Sequence, residues 1–153
     1  MIRLAILPLA LLWPLATRAQ EPDARKLAQE ILDKGAALFD TRDAAAMAAT
    51  YTEDAKIFWV GKNQDTGQYQ IDVKDGRSQI EDLYRNLFKD RKRTTSRNTV
   101  EFARFVAPDL LVIQGYFEPD IHRADKFPFV QVRVKQGDKW LMMSLRLFVL
   151  PKD

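Results

Sequence analysis

Few side chains in this sequence are both chemically capable and grouped. His122 is the only histidine and lies between Asp120 and Asp125 in a polar stretch. Any nucleophile triad would have to be built on it, because no second imidazole can relay a proton. Asp54 follows Glu53 just ahead of a β-prone segment. A carboxylate there could face a pocket as a general base, or cap a chain reversal through backbone N–H groups. Asp54 and His122 are thus the two weak catalytic candidates. With no cysteine, there is no thiolate nucleophile, no disulfide framework and no Cys-based zinc site. No calcium-loop spacing occurs. Gly61 and Gly67 are too far apart, and precede a strand, so they do not form a phosphate loop. No metal or cofactor is expected.

The elements that would position such groups are easier to read. Asp23 offers a cap for a helix over 24–39, where Leu27, Ile31, Leu38 and Phe39 recur at helical spacing. Residues 40–43 break the pattern, and an alanine-rich helix with Met47 facing inward follows to about Tyr51. Residues 55–60 are β-prone, 61–67 turn-rich, and Tyr69, Ile71 and Val73 alternate like a half-buried strand. Ser78 and Glu81 have the spacing of a capping box for a third helix with Ile80, Leu83, Tyr84, Leu87 and Phe88 on one stripe. From Thr99 onward the pattern is strand: 100–106, 110–118, 127–135 and 140–150, separated by turns and one polar loop. There is no repeat and no second domain.

The N-terminus reads as a leader. Arg3 precedes an apolar run over 4–16, and Thr17-Arg18-Ala19 puts small residues where a signal peptidase inspects them. Cleavage is expected after Ala19, leaving one domain over 20–153 that is exported to the periplasm or medium. The run is shorter than the roughly 20 residues a membrane span needs, so no membrane attachment is expected after cleavage. Loss of Arg3 and Arg18 takes the net charge from +3 to +1, which argues against a nucleic-acid partner. The basic run 89–93 is interrupted by Asp90 and reads as a solvated loop.

The last two strands form a hairpin centred on Gly137 and Asp138. Strict alternation gives one apolar face, holding Val130, Val132, Val134, Leu141, Met143, Leu145 and Leu147. The other holds Gln131, Arg133, Lys135, Trp140, Met142, Ser144, Arg146 and Phe148. The apolar face is expected to look inward. The mixed face has the composition of a subunit interface, so a homodimer through Arg133, Trp140, Met142, Arg146 and Phe148 is expected.

The order of elements, with Asp43-Ala44-Ala45-Ala46-Met47, Tyr51-Thr52-Glu53-Asp54-Ala55, Asp75-Gly76-Arg77, Ala107-Pro108-Asp109 and Gly137-Asp138-Lys139-Trp140, resembles the nuclear transport factor two-like superfamily. That group includes the SnoaL-like cyclases and ketosteroid isomerases. The resemblance implies an α+β fold in which a curved antiparallel sheet forms a cone around three helices, with dimers formed by the convex face. An ungapped match to the isomerases puts Gly35, Trp59 and Val130 where that chemistry needs a tyrosine, a base and a second acid. The resemblance therefore implies no steroid isomerase, and it weakens the cyclase reading too.

What remains is an apolar cavity suited to a hydrophobic small molecule. Trp59 faces it in the family match. Phe39, Tyr84 and Phe88 would reach it from the helices, Met143 and Leu145 from the sheet, and Tyr116 could face in or out. Three readings stand at this point: a ligand-binding or association domain, an enzyme of the dehydratase, cyclase or hydrolase kind with an unusual acid/base pair, or an interaction domain whose cone is filled.

Overall fold

In the computed structural model, which describes residues 23–150, Asp23 begins α1 (Ala24–Thr41) by accepting from the N–H groups of Arg25 and Lys26. The leader expected over 1–19 lies outside the described residues. Arg42, in the left-handed region at φ 62°, ends the helix with an N–H bond to the Phe39 carbonyl. Asp43 at once caps α2 (Ala44–Ala48) through the N–H of Ala46. This second helix is shorter than expected, because Tyr51 already opens β1 (Tyr51–Lys62), which pairs with β2 (Tyr69–Asp75). Gly76, at φ 85°, turns the chain into α3 (Arg77–Lys89) with no side-chain cap. The expected capping box is not made: the helix starts at Arg77, so Ser78 lies inside the first turn and is too late to cap. Gln79 accepts from Asp75 N–H, and Glu81 pairs with Arg85.

Four long strands follow, β3 (Arg97–Ala107), β4 (Leu110–Glu118), β5 (Phe127–Gln136) and β6 (Lys139–Val149). The six strands form one curved, unclosed sheet in the order β2-β1-β6-β5-β4-β3. All neighbours are antiparallel except β1 and β6. The sheet is thus antiparallel as expected, apart from this one pair. β1 and β6 lie at opposite ends of the strand order in sequence, and the intervening crossover brings them together side by side in the same direction. At Gly115, β3 bulges so closely over β4 that a Cβ would collide with the Thr99 carbonyl.

The helices cover one face in two separate blocks. One packs α2, α3 and Phe39 near the end of α1 over β1, with Met47, Ile57, Ile80, Tyr84 and Phe88 at its centre. The other packs α1 over β3 to β5, with Ala28, Leu32, Leu111, Ile113 and Phe129. Trp59, Phe117 and Leu145 touch both blocks.

The hairpin faces differ from strict alternation, and one residue is the reason. Val134 does pair with Leu141, but Arg133 pairs with Met142 and Val132 with Ser144, so Met143 is an extra residue in a β-bulge. On the turn side of the bulge, the Val132–Val134–Leu141 face points outward, while Arg133 and Met142 lie buried beneath the helices at 5% exposure each. Beyond it, Leu145 opposes Gln131 and Leu147 opposes Phe129 on the inner face. Arg146 and Phe148 remain outside, Arg146 lying over the Phe58 ring at 4.6 Å. The expectation that Arg133, Trp140 and Met142 face a partner subunit is therefore overturned, as is the inward assignment of Val130, Val132, Val134 and Met143. Met143 itself is 43% exposed.

Candidate functional site

Between the two packing blocks lies a cavity of about 600 Å³. Its mouth is edged by Glu30 and Lys34 of α1 and by Asp138 and Lys139 of the last hairpin, all exposed. Aliphatic walls are supplied by Ile31, Leu38, Leu83, Leu87 and Leu145. The polar groups lie deeper, on β1, α3 and β5.

Tyr51 and Tyr84 face each other across the inner wall, with hydroxyl oxygens 2.7 Å apart. Burial pushes both phenols above their ordinary pKa. Arg133 projects from β5 into the same space. Its Nε donates to Gln131 Oε1 at 2.9 Å and its Nη1 to the Trp140 carbonyl at 3.2 Å. Among the described residues no carboxylate pairs with it. Desolvation lowers its pKa to about 10, with the phenols of Tyr51 and Tyr84 acting in the opposite direction. Trp59 also lines the cavity, and its indole N–H is buried without an acceptor.

Of the residues expected to contact a ligand, Trp59, Tyr84, Phe39 and Leu145 line the cavity. Phe88 does not, because it is stacked behind Tyr84 at 5.6 Å between ring centroids. Tyr116 alternates with inward Gly115 and Phe117 and pairs with Pro128 on the outer face. Met143 is carried outward by the bulge. Asp54 and His122 are exposed and line no part of the cavity. Sequence reasoning misses Tyr51, Gln131 and Arg133. Tyr51 reads as the end of the second helix, and strict alternation sends the other two outward. The available signal is the pair Leu145 and Leu147: starting from them, with one extra residue before the turn, the inner face runs through Gln131 and Arg133.

A second buried charge lies at the far end of the sheet. Glu118, 4% exposed, accepts from Nε and Nη2 of Arg97 at 2.8 and 3.0 Å, and Lys126 approaches at 3.6 Å. The hydrogen bonds from Arg97 hold its carboxyl below the usual range. Among the described residues, no cluster of acidic or histidine side chains could hold a metal ion, and no helix is long and apolar enough to cross a membrane.

A curved open sheet with its helices gathered on the concave face is the architecture of cystatin-like and NTF2-like proteins, and this chain has that fold. A protein from Xanthomonas campestris described as a calcium/calmodulin dependent protein kinase II association domain superposes with a TM-score of 0.58 at 19% identity, covering 86% of this chain and 90% of that one. An NTF2-like protein of unknown function from Shewanella oneidensis gives 0.60 at 11% identity, over 78% and 94%. A protein from Novosphingobium aromaticivorans described as a scytalone dehydratase gives 0.60 at 12% identity, over 80% of each chain. No protein-family model and no curated protein matches the sequence.

Proposed function

We propose that this is an exported SnoaL-like binding domain that holds one small, mainly apolar molecule between its two packing blocks. The observation that carries the reading is the cavity of about 600 Å³, within the range of roughly 300–1,000 Å³ that suits small-molecule sites. The two catalytic candidates read from the sequence, Asp54 and His122, stand outside it. The reading is tested with the neutral dye N-phenyl-1-naphthylamine, followed by its fluorescence and by quenching of tryptophan emission. Gly35 lines the cavity from α1, and a Cβ there meets nothing within 4 Å. Gly35→Phe should therefore fill the space while keeping the fold, and weaken dye binding by about tenfold or more. Equal binding by the variant, or none by the parent chain, would refute the site. The mass of protein recovered from periplasm or medium checks cleavage after Ala19.

A second reading concerns the outer face of the sheet, for which we propose a second copy of the chain as occupant. Phe102 (47% exposed), Ile71 (56%), Val73 (40%) and Met143 join Phe58, Val130, Val132 and Phe148 in one strip across the strands. An extended face of this kind without a groove is suited to isologous sheet-on-sheet packing. Arg146 and Phe148 remain in this interface; Arg133, Trp140 and Met142 do not. Val132→Glu should shift sedimentation from dimer to monomer, and a monomeric parent chain would end the reading.

A further inference from the structure

We infer that the molecule held in the cavity is an amphipathic monocarboxylate, its head group bound by Arg133 and the Tyr51–Tyr84 pair and its apolar body lying toward the mouth. This rests on the cavity being a ligand site, and goes beyond it by fixing the ligand's charge and polarity.

The first ground is an incomplete ion site. A guanidinium removed from water normally has a carboxylate or phosphate partner, because the cost of desolvation is otherwise uncompensated. Arg133 is 5% exposed, and the two acceptors it has found, the Gln131 amide oxygen and the Trp140 carbonyl, are both neutral. Its remaining N–H donors have no acceptor among the described residues. They form part of a planar fork that matches a carboxylate.

The second ground is that the inner wall has donors to spare, beyond those that its own acceptors use. Two hydroxyls that share one hydrogen bond use one proton and leave the other free to donate, so the Tyr51–Tyr84 pair offers an O–H. Arginine has no acceptor, so the Gln131 oxygen must face Arg133, leaving the amide NH2 as a further donor. An inner wall of donors around a cation calls for an acceptor-rich anion. The carboxylates near the cavity, Glu30 and Asp138, are exposed at its mouth.

The third ground sets charge and shape. The inner end holds one cation, which compensates one negative charge, and a second charge at that end would be buried without a partner. The surrounding walls of Ile31, Leu38, Leu83, Leu87 and Leu145 require the rest of the molecule to be apolar.

The experiment displaces N-phenyl-1-naphthylamine with octanoate, 1-octanol, acetate and chloride, on the full chain and on Arg133→Met and Arg133→Lys. Octanoate should displace the dye about tenfold better than octanol, while acetate and chloride displace it poorly. In Arg133→Met, with its own dye affinity measured first, the ratio of octanoate to octanol displacement should fall to about one. Arg133→Lys, which keeps the charge without the fork, should retain part of it. Circular dichroism and thermal melting establish that each variant is folded. Equal displacement by octanoate and octanol, a preference that survives Arg133→Met, or displacement by chloride as good as by octanoate would each overturn the head-group assignment alone. Failure of the dye to bind the parent chain would instead remove the ligand site, and this inference with it.

Discussion

Glu118 and Arg133 are both buried charges on the same sheet, yet they are solved in opposite ways. Glu118 has two hydrogen bonds from Arg97 and the nearby Lys126 ammonium, so its charge is answered within the chain. Arg133 has only neutral acceptors and faces open space. A completed ion site fixes strand pairing between β3 and β4. An incomplete one carries an unfavourable energy that packing elsewhere must offset, which is the pattern of sites shaped by something other than stability.

The sharpest way to break this comparison is to remove each charge. Replacing an unpaired buried ion by an apolar side chain of similar length is expected to stabilise by about 1–3 kcal/mol, so Arg133→Met should raise the midpoint of thermal unfolding. Arg97→Met should lower it, because Glu118 is then left buried with only Lys126. If both variants are destabilised, Arg133 belongs to the fold as much as Arg97 does. Next in size is the tyrosine pair. Tyr51→Phe or Tyr84→Phe should each cost about 1 kcal/mol in urea unfolding, and the double variant less than the sum, because either change alone already breaks the shared bond.

The smallest effects are those of pH. Glu118 has a depressed pKa in the folded chain, so the unfolded chain takes up its proton first. Its contribution is complete above the ordinary glutamate value of about 4.3 and is lost as pH falls through the folded value. Denaturant midpoints between about pH 6 and pH 3 should fall more steeply for the parent chain than for Glu118→Gln. Tyr51 and Tyr84 have raised values. Stability tied to their neutral forms is complete below about pH 10 and is lost as pH rises above it, and Tyr84→Phe should flatten that alkaline slope. Arg133→Met should leave the acid limb unchanged.

The elements were legible wherever a local signal sufficed: Asp23 as a cap, the stripe on α3, and the turns at Pro108 and Gly137 all lie where the residues suggest. The expectation failed where two local signals competed or where one residue changed the count. Ser78 and Glu81 have capping-box spacing, but the positive φ of Gly76 starts the helix earlier. Tyr51 follows an alanine-rich run without a break, so nothing local shows that it opens a strand. On β5, a row of valines looks more like a core than Gln131 and Arg133 do. Only the bulge at Met143 lets Leu145 and Leu147 share a side with the polar pair. That registry is set by three-dimensional pairing, and alternation along one strand cannot reveal it. The deep polar groups of the site were hidden for the same reason, while Trp59 was placed by the family match and Phe39 and Tyr84 by their place on helices, neither of which depends on counting along the last hairpin.

The division of the interior into two packing blocks has a mechanical corollary. The first turns of α1 pack over β3 to β5, while Phe39 near its end meets Tyr84 and Phe88 of α3 edge-on, with ring centroids 6.4 and 5.1 Å apart, so the two blocks are already joined there. An occupant lodged in the cavity would act as a keystone, adding a further tie between blocks that Phe39 already joins. Amide exchange in α1 and α3 should then slow when the space is filled.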